Sequence, residues 1–295
     1  MKSKIFIIII AVFAVALTVF LAFRANVTEQ YTAISLERHE PNISLPLNVQ
    51  TAVLEPRIEE KEDVGHFPPD PYDYSIPVPE TEPVDPSHFD KAVFIGDSRM
   101  LGLIKYTEVS PINLCGVGFS VSAYDTTTFI KLEDENLTVR DALRKISDYD
   151  SVYISTGLNE LGWTAENFEL KYSRMLDDIL AVVKAKPVYV QLIMPVTTGF
   201  ENSRVMNLFN LRNSNVEVFN NIIKKLALEK QIYILDCSAI FNLENGTLNP
   251  EFSSDGAHLT RSAYKTQLDY YCSHVIPSDM IEARYLSRGI KIDLD

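Results

Sequence analysis

The chain has 295 residues, with 27 Lys+Arg against 40 Asp+Glu and a formal charge of −13. That acidic balance argues against a nucleic-acid binder, which needs a basic face to neutralise phosphates. Hydrophobic residues at 46% with 10% aromatics exclude a wholly disordered chain. Three cysteines, Cys115, Cys237 and Cys272, are too few and too far apart for a disulfide scaffold or a Cys-rich zinc module.

Residues 5–23, IFIIIIAVFAVALTVFLAF, form an uncharged apolar run preceded by Lys2 and Lys4. Nineteen helical residues reach about 28 Å, close to the hydrocarbon thickness of a bilayer. A cleaved signal peptide is the competing reading. Its cleavage site would have to be LAFRAN, a poor one, and no cysteine follows that would take a lipid. Residues 1–23 are therefore read as an uncleaved, single-pass signal anchor. Lys2 and Lys4 keep the N-terminus cytoplasmic, with Arg24 weakening the bias, so the rest of the chain is expected outside the cell membrane.

Residues 24–90 read as an extracytoplasmic linker. Ten of the 15 prolines fall between Pro41 and Pro86, and residues 1–90 carry 14 acidic against 6 basic side chains. Prolines at that density sustain neither a helix nor a sheet interior.

Beyond Asp90 the pattern alternates. AVFIGD (92–97), SVYISTG (151–157), PVYVQLIMPV (187–196) and QIYILDC (231–237) are nearly continuous apolar runs, with a weaker one at PINLC (111–115). Such runs suit strands buried on both faces of a parallel sheet. Between them, 138–146, 165–184, 216–230 and 260–275 have helical spacing. The expectation is an α/β domain over 91–276, a doubly wound, mostly parallel sheet in an α/β/α sandwich, followed by a tail at 277–295.

In open parallel sheets the active crevice lies at the carboxyl ends of the strands. Gly96-Asp97-Ser98 follows the first strand, Gly116-Val117-Gly118 the second and Gly157-Leu158-Asn159-Glu160 the third. Asp255-Gly256-Ala257-His258 precedes the last helix. A serine needs a base to take its proton, and the domain has two histidines. His274 falls within the final helix, as a surface or packing residue. His258 stands three residues after Asp255, which can orient its imidazole. Ser98 is thus read as nucleophile, His258 as general base and then acid, and Asp255 as the orienting carboxylate. Ser98 opens a helix and so offers its own N–H to an oxyanion; a glycine after the second strand and the Asn159 amide offer two more donors. This set calls for no cofactor, and two histidines without clustered carboxylates make no metal site.

These blocks resemble the SGNH hydrolases, also called the GDSL esterase/lipase family, over about residues 90–276. FIGDSR (94–99) resembles the nucleophile block, GLNE (157–160) the Gly-x-Asn-Asp block and DGAH (255–258) the Asp-x-x-His block. The family's single glycine matches Gly116 or Gly118, with Gly118 preferred because VGFSV resembles the stretch in related bacterial sequences. GLNELGW, YVQLIMPV and DGAHL look closest to a bacterial, extracytoplasmic branch. The resemblance implies a flavodoxin-like fold, a triad of Ser98, Asp255 and His258, and an oxyanion hole of Ser98, Gly118 and Asn159. It also implies an ester substrate, small or an acylated glycan. Glu160 departs from the family's aspartate, which leaves one local hydrogen bond open and not the mechanism. An acyltransferase on the same triad, or a binding module on a retained hydrolase fold, are the alternatives.

Four further readings accompany this one. Trp163 and Tyr153 read as packing residues. Segment 197–215 reads equally as a lid or glycan-binding segment at the site and as a surface loop. Arg99 is expected to pair with a carboxylate, with binding of an anionic group as the alternative, and Cys115 to be a buried free thiol.

Overall fold

The computed structural model describes residues 70–208 and 210–289. The apolar run at 5–23, read as the membrane anchor, lies outside them. Among the described residues no helix is long and apolar enough to cross a membrane.

Five strands make the main sheet: β1 (Ala92–Gly96), β2 (Ile112–Cys115), β5 (Ser151–Ser155), β6 (Val188–Gln191) and β7 (Tyr233–Leu235). Their order is β2-β1-β5-β6-β7, and every neighbouring pair is parallel. The order reverses between β1 and β5, the switch point at which a doubly wound sheet opens its crevice. All residues of β1, β5, β6 and β7 are buried, as the unbroken apolar runs require.

The two faces are built differently. Val93, Ile95, Val152, Ile154, Val188, Val190 and Ile234 face helices α2 (Val139–Lys145), α3 (Ala165–Val183) and α6 (Ser214–Lys230). The alternate positions face α1 (Ser98–Tyr106) and α8 (Arg261–Cys272). Pairing puts Phe94, Tyr153 and Tyr189 in one row with Tyr233. Their rings form a continuous aromatic layer, with Tyr153 stacked on Tyr189 at 4.5 Å. Tyr153 and the half-buried Trp163 are core residues, as expected. Thr138, Thr164 and Thr260 cap their helices by accepting from the N–H three residues on.

The structure corrects both expected boundaries. Residues 70–90, read as linker, are part of the domain. The Val78 N–H donates to the Ile234 carbonyl at 2.8 Å and so covers the outer edge of β7. Tyr74, Val78 and Phe89 are buried in the aromatic face. The tail at 277–295 likewise contains α9 (Ser278–Ser287). From it the wholly buried Arg284 donates to Tyr74 Oη at 2.6 Å and to the Gln231 carbonyl at 2.8 Å. A chain begun at residue 91 therefore loses three buried side chains, about 1.5–3 kcal/mol each. That sum rivals the whole stability of an ordinary domain. Thermal unfolding of chains begun at 64 and at 91 should show a cooperative transition in the first only.

Five further elements were not expected. A hairpin of β3 (Ile130–Leu132) and β4 (Glu135–Leu137) turns at Glu133. The segment after β6 forms the short helices α4 (Thr198–Glu201) and α5 (Arg204–Leu208), and α7 (Ser238–Phe241) follows β7.

Candidate active site

β1 delivers the chain to Asp97, whose buried carboxylate caps α1 by accepting the Arg99 N–H at 2.8 Å. Burial pushes that carboxyl above its ordinary range. Ser98 follows as the first helical residue, half-buried. Its N–H is one of the donors a helix start leaves without an intrahelical partner. Among the described residues nothing accepts it.

Ser98 Oγ lies 2.8 Å from His258 Nε2. On the other side of the ring, His258 Nδ1 lies 2.7 Å from Asp255 Oδ2. Asp255 uses its second oxygen on the backbone: Oδ1 accepts the N–H of Ala257 at 2.9 Å and of His258 at 2.8 Å. One carboxylate therefore orients the imidazole and shapes the turn that carries it. Burial alone would push the Asp255 carboxyl up. The His258 N–H, the His258 ring and the Ala257 N–H outweigh it and hold Asp255 below its ordinary range, as an anion. Gly256 is required in this turn: it has φ +96°, and a Cβ there would meet Phe200 Cβ at 2.5 Å.

Arg99 is neither an anion-binding group nor paired with a carboxylate, contrary to expectation. It is buried, and its guanidinium donates to three carbonyls: Ala257 at 2.8 Å, Pro195 at 2.7 Å, and Met194. These belong to the His258 turn and to the stretch after β6, so the residue next to Ser98 fastens the His258 turn to the start of α1. Composition could not reveal this, because the acceptors are main-chain groups distant in sequence.

The loop after β2 meets the same place. The Gly116 N–H donates to the Gly96 carbonyl at 3.0 Å, two residues before Ser98. Gly118 has φ +68°, and its N–H has no acceptor among the described residues. Of the two candidate glycines, Gly118 is thus the one with a free donor. Asn159, in the turn after β5, donates Nδ2–H to the Phe119 carbonyl at 2.8 Å. An amide nitrogen carries two hydrogens, so one remains. Glu160 is wholly buried, and its Oε1 accepts the Val121 N–H at 2.6 Å.

Segment 197–215 flanks the site. The Thr197 N–H donates to the Gly256 carbonyl at 2.9 Å, and Phe200 and Met206 pack with Leu158 and Ala257. Asn213 closes the base of the segment by pairing with both main-chain groups of Val196 at 2.9 Å. His274 makes none of these contacts: it lies beyond the end of α8, not within that helix as the sequence suggests, and stacks on Tyr270 at 3.7 Å. Cys115, Cys237 and Cys272 are free and buried, and burial pushes the Cys115 thiol well up.

No family model matches the chain, and no curated protein does. Among solved structures it is similar to a lipase/acylhydrolase from Enterococcus faecalis, at 16% identity and a TM-score of 0.43, over 68% of this chain and 97% of that one. A GDSL-like lipase from Bacteroides thetaiotaomicron matches at 16% identity and a TM-score of 0.45, over 65% and 87%. A carbohydrate acetylesterase from Sinorhizobium meliloti matches at 14% identity and a TM-score of 0.42, over 62% and 96%. Within this chain, FIGDSR and DGAH supply the serine and histidine that meet at 2.8 Å.

Proposed function

We propose that the protein is an extracytoplasmic serine esterase that removes small acyl groups, acetyl foremost, from carbohydrate or cell-envelope substrates. The observation that carries this reading is the unbroken relay of Ser98, His258 and Asp255, at 2.8 and 2.7 Å.

In the proposed reaction Ser98 Oγ attacks the ester carbonyl carbon while His258 Nε2 takes its proton. The ionised Asp255 stabilises the imidazolium. The carbonyl oxygen becomes an oxyanion, met by the N–H groups of Ser98 and Gly118 and by the remaining Asn159 hydrogen. His258 then returns its proton to the departing alcohol, leaving an acyl-serine. Water, deprotonated by His258, attacks that ester, and the collapse releases the acid and restores Ser98.

The site is open, with 39% of the His258 side chain and 52% of the Asp255 side chain exposed. An open rim suits an ester carried on a bulky alcohol such as a polymer. The carbohydrate acceptor rests on the resemblance to the extracytoplasmic branch, and the location on the apolar run at 5–23. An acyltransferase would differ in the second step alone, with a sugar hydroxyl in place of water. A binding module would have no use for an assembled relay.

Acetate release from p-nitrophenyl acetate and from a panel of acetylated glycans tests the reading. Serine-dependent turnover of one glycan supports it, and acetyl appearing on an added sugar marks transfer. In the same assay Asn159→Ala should lower kcat by about 10²–10³-fold. An unchanged kcat would remove Asn159 from the oxyanion hole.

A further inference from the structure

Glu160 has no part in the relay, yet it is wholly buried beside the candidate oxyanion donor Asn159. The two successive side chains hold two points of one segment. Asn159 grips the Phe119 carbonyl at 2.8 Å and Glu160 grips the Val121 N–H at 2.6 Å. Gly118 directly precedes that segment. A Cβ at Gly118 would meet nothing within 4 Å, and Val117 before it is 86% exposed. No side chain packs on the Gly118 peptide itself; it is held between Gly116, whose N–H donates to the Gly96 carbonyl and whose carbonyl accepts the Phe119 N–H, and the gripped stretch that follows.

We propose that Glu160 is a positioning residue for oxyanion stabilisation, its carboxyl acting with the Asn159 amide to set the direction of the Gly118 N–H. The proposal rests on the esterase reading above. It also assigns a partner to the glutamate that stands where the family has aspartate.

The surroundings of Glu160 make the grip dependent on protonation. Its Oε2 has no hydrogen-bond partner among the described residues. Asp97, from the turn after β1, and Tyr172, from α3, lie close enough to act on its charge. Neither can balance a negative charge. Burial pushes the Glu160 carboxyl up to about 8, against the pull of the Val121 N–H and with a further push from Asp97. At neutral pH the carboxyl is protonated and Oε1 accepts from Val121 as a neutral group. Ionisation would place a charge in a sealed, low-dielectric site, and hydrating it requires the turn to move. Serine-dependent kcat should then fall as the pH rises through about 8.

The test measures kcat and KM for p-nitrophenyl acetate across pH 6–10, with the Ser98→Ala rate subtracted as background. Glu160→Ala should lower kcat at neutral pH by about 10²-fold with little change in KM, the size expected when a catalytic donor is misplaced by about an ångström. Glu160→Gln keeps the oxygen for Val121 and cannot ionise. It should rescue kcat and abolish the alkaline fall. An alkaline fall in Glu160→Gln like that of the wild type, or an unchanged kcat in Glu160→Ala, would overturn the proposal. The Val121 amide resonance gives a readout independent of turnover: it should titrate near pH 8 in the wild type and stay fixed in Glu160→Gln. A wild type without serine-dependent turnover overturns the esterase reading, while the Val121 titration still decides whether Glu160 holds the loop.

Discussion

Ser98→Ala should reduce turnover of p-nitrophenyl acetate by about 10⁴-fold or more, since a triad acts as a unit and fails with any member. The fold should not change, because Ser98 is half-buried and its side chain makes one hydrogen bond, to His258. The residue of activity should be that of the oxyanion donors and substrate binding alone. Cooperative unfolding at the wild-type temperature, together with lost turnover, is the expected pair of results. Activity near wild type would remove Ser98 as nucleophile.

Arg99→Met should produce the largest loss of stability among changes near the site. Three buried carbonyls, of Ala257, Met194 and Pro195, lose their donor. A buried group left unsatisfied costs about 1–3 kcal/mol, so the sum is about 3 kcal/mol or more. For a domain of this size that lowers Tm by roughly 6–12 °C. The Ala257 carbonyl lies one residue before His258, so kcat should fall together with stability. Arg99→Lys should not rescue either, because a single ammonium cannot reproduce a planar fork spread over three acceptors. Thermal unfolding beside steady-state kinetics checks both effects. Stability within about 0.5 kcal/mol of wild type, the range of an ordinary surface change, would show that the Arg99 network does not hold the turn.

What the sequence could and could not say follows from what each signal measures. The runs at 92–96 and 151–155 read as strands because burial on both faces leaves no polar alternation. The run PVYVQLIMPV shows the limit of that signal. Pairing stops at Gln191, yet Leu192–Val196 stays buried, with Met194 and Pro195 turned to Arg99 and Val196 to Asn213. Apolar composition reports burial and not ladder pairing. The same distinction explains residues 70–90. Proline density excluded regular structure, and the segment indeed has none beyond a bridge and a short 3-10 helix. It is nevertheless packed through Tyr74, Val78 and Phe89, and nothing in a proline count bears on packing.

The meeting of Ser98, His258 and Asp255 was legible because the candidate chemistry is carried by residue types, a serine, a histidine and an aspartate, near strand ends that periodicity locates. Asp255 and His258 are three residues apart, so one turn brings them together. The supporting residues were not legible. Arg99 acts on main-chain carbonyls, which every residue has. Glu160 acts on the N–H of Val121, 39 positions away. Residue identity marks neither partner, and only the fold brings them within reach.

The most direct test of the central claim is fluorophosphonate labelling of the full chain, with the adduct located by peptide mass. A phosphonate is attacked by an activated serine and by no ordinary one, so it reads nucleophile and base together. The account predicts a single adduct on Ser98, lost in Ser98→Ala and in His258→Ala. A folded wild-type chain that takes no label, or takes it on another residue, would contradict it.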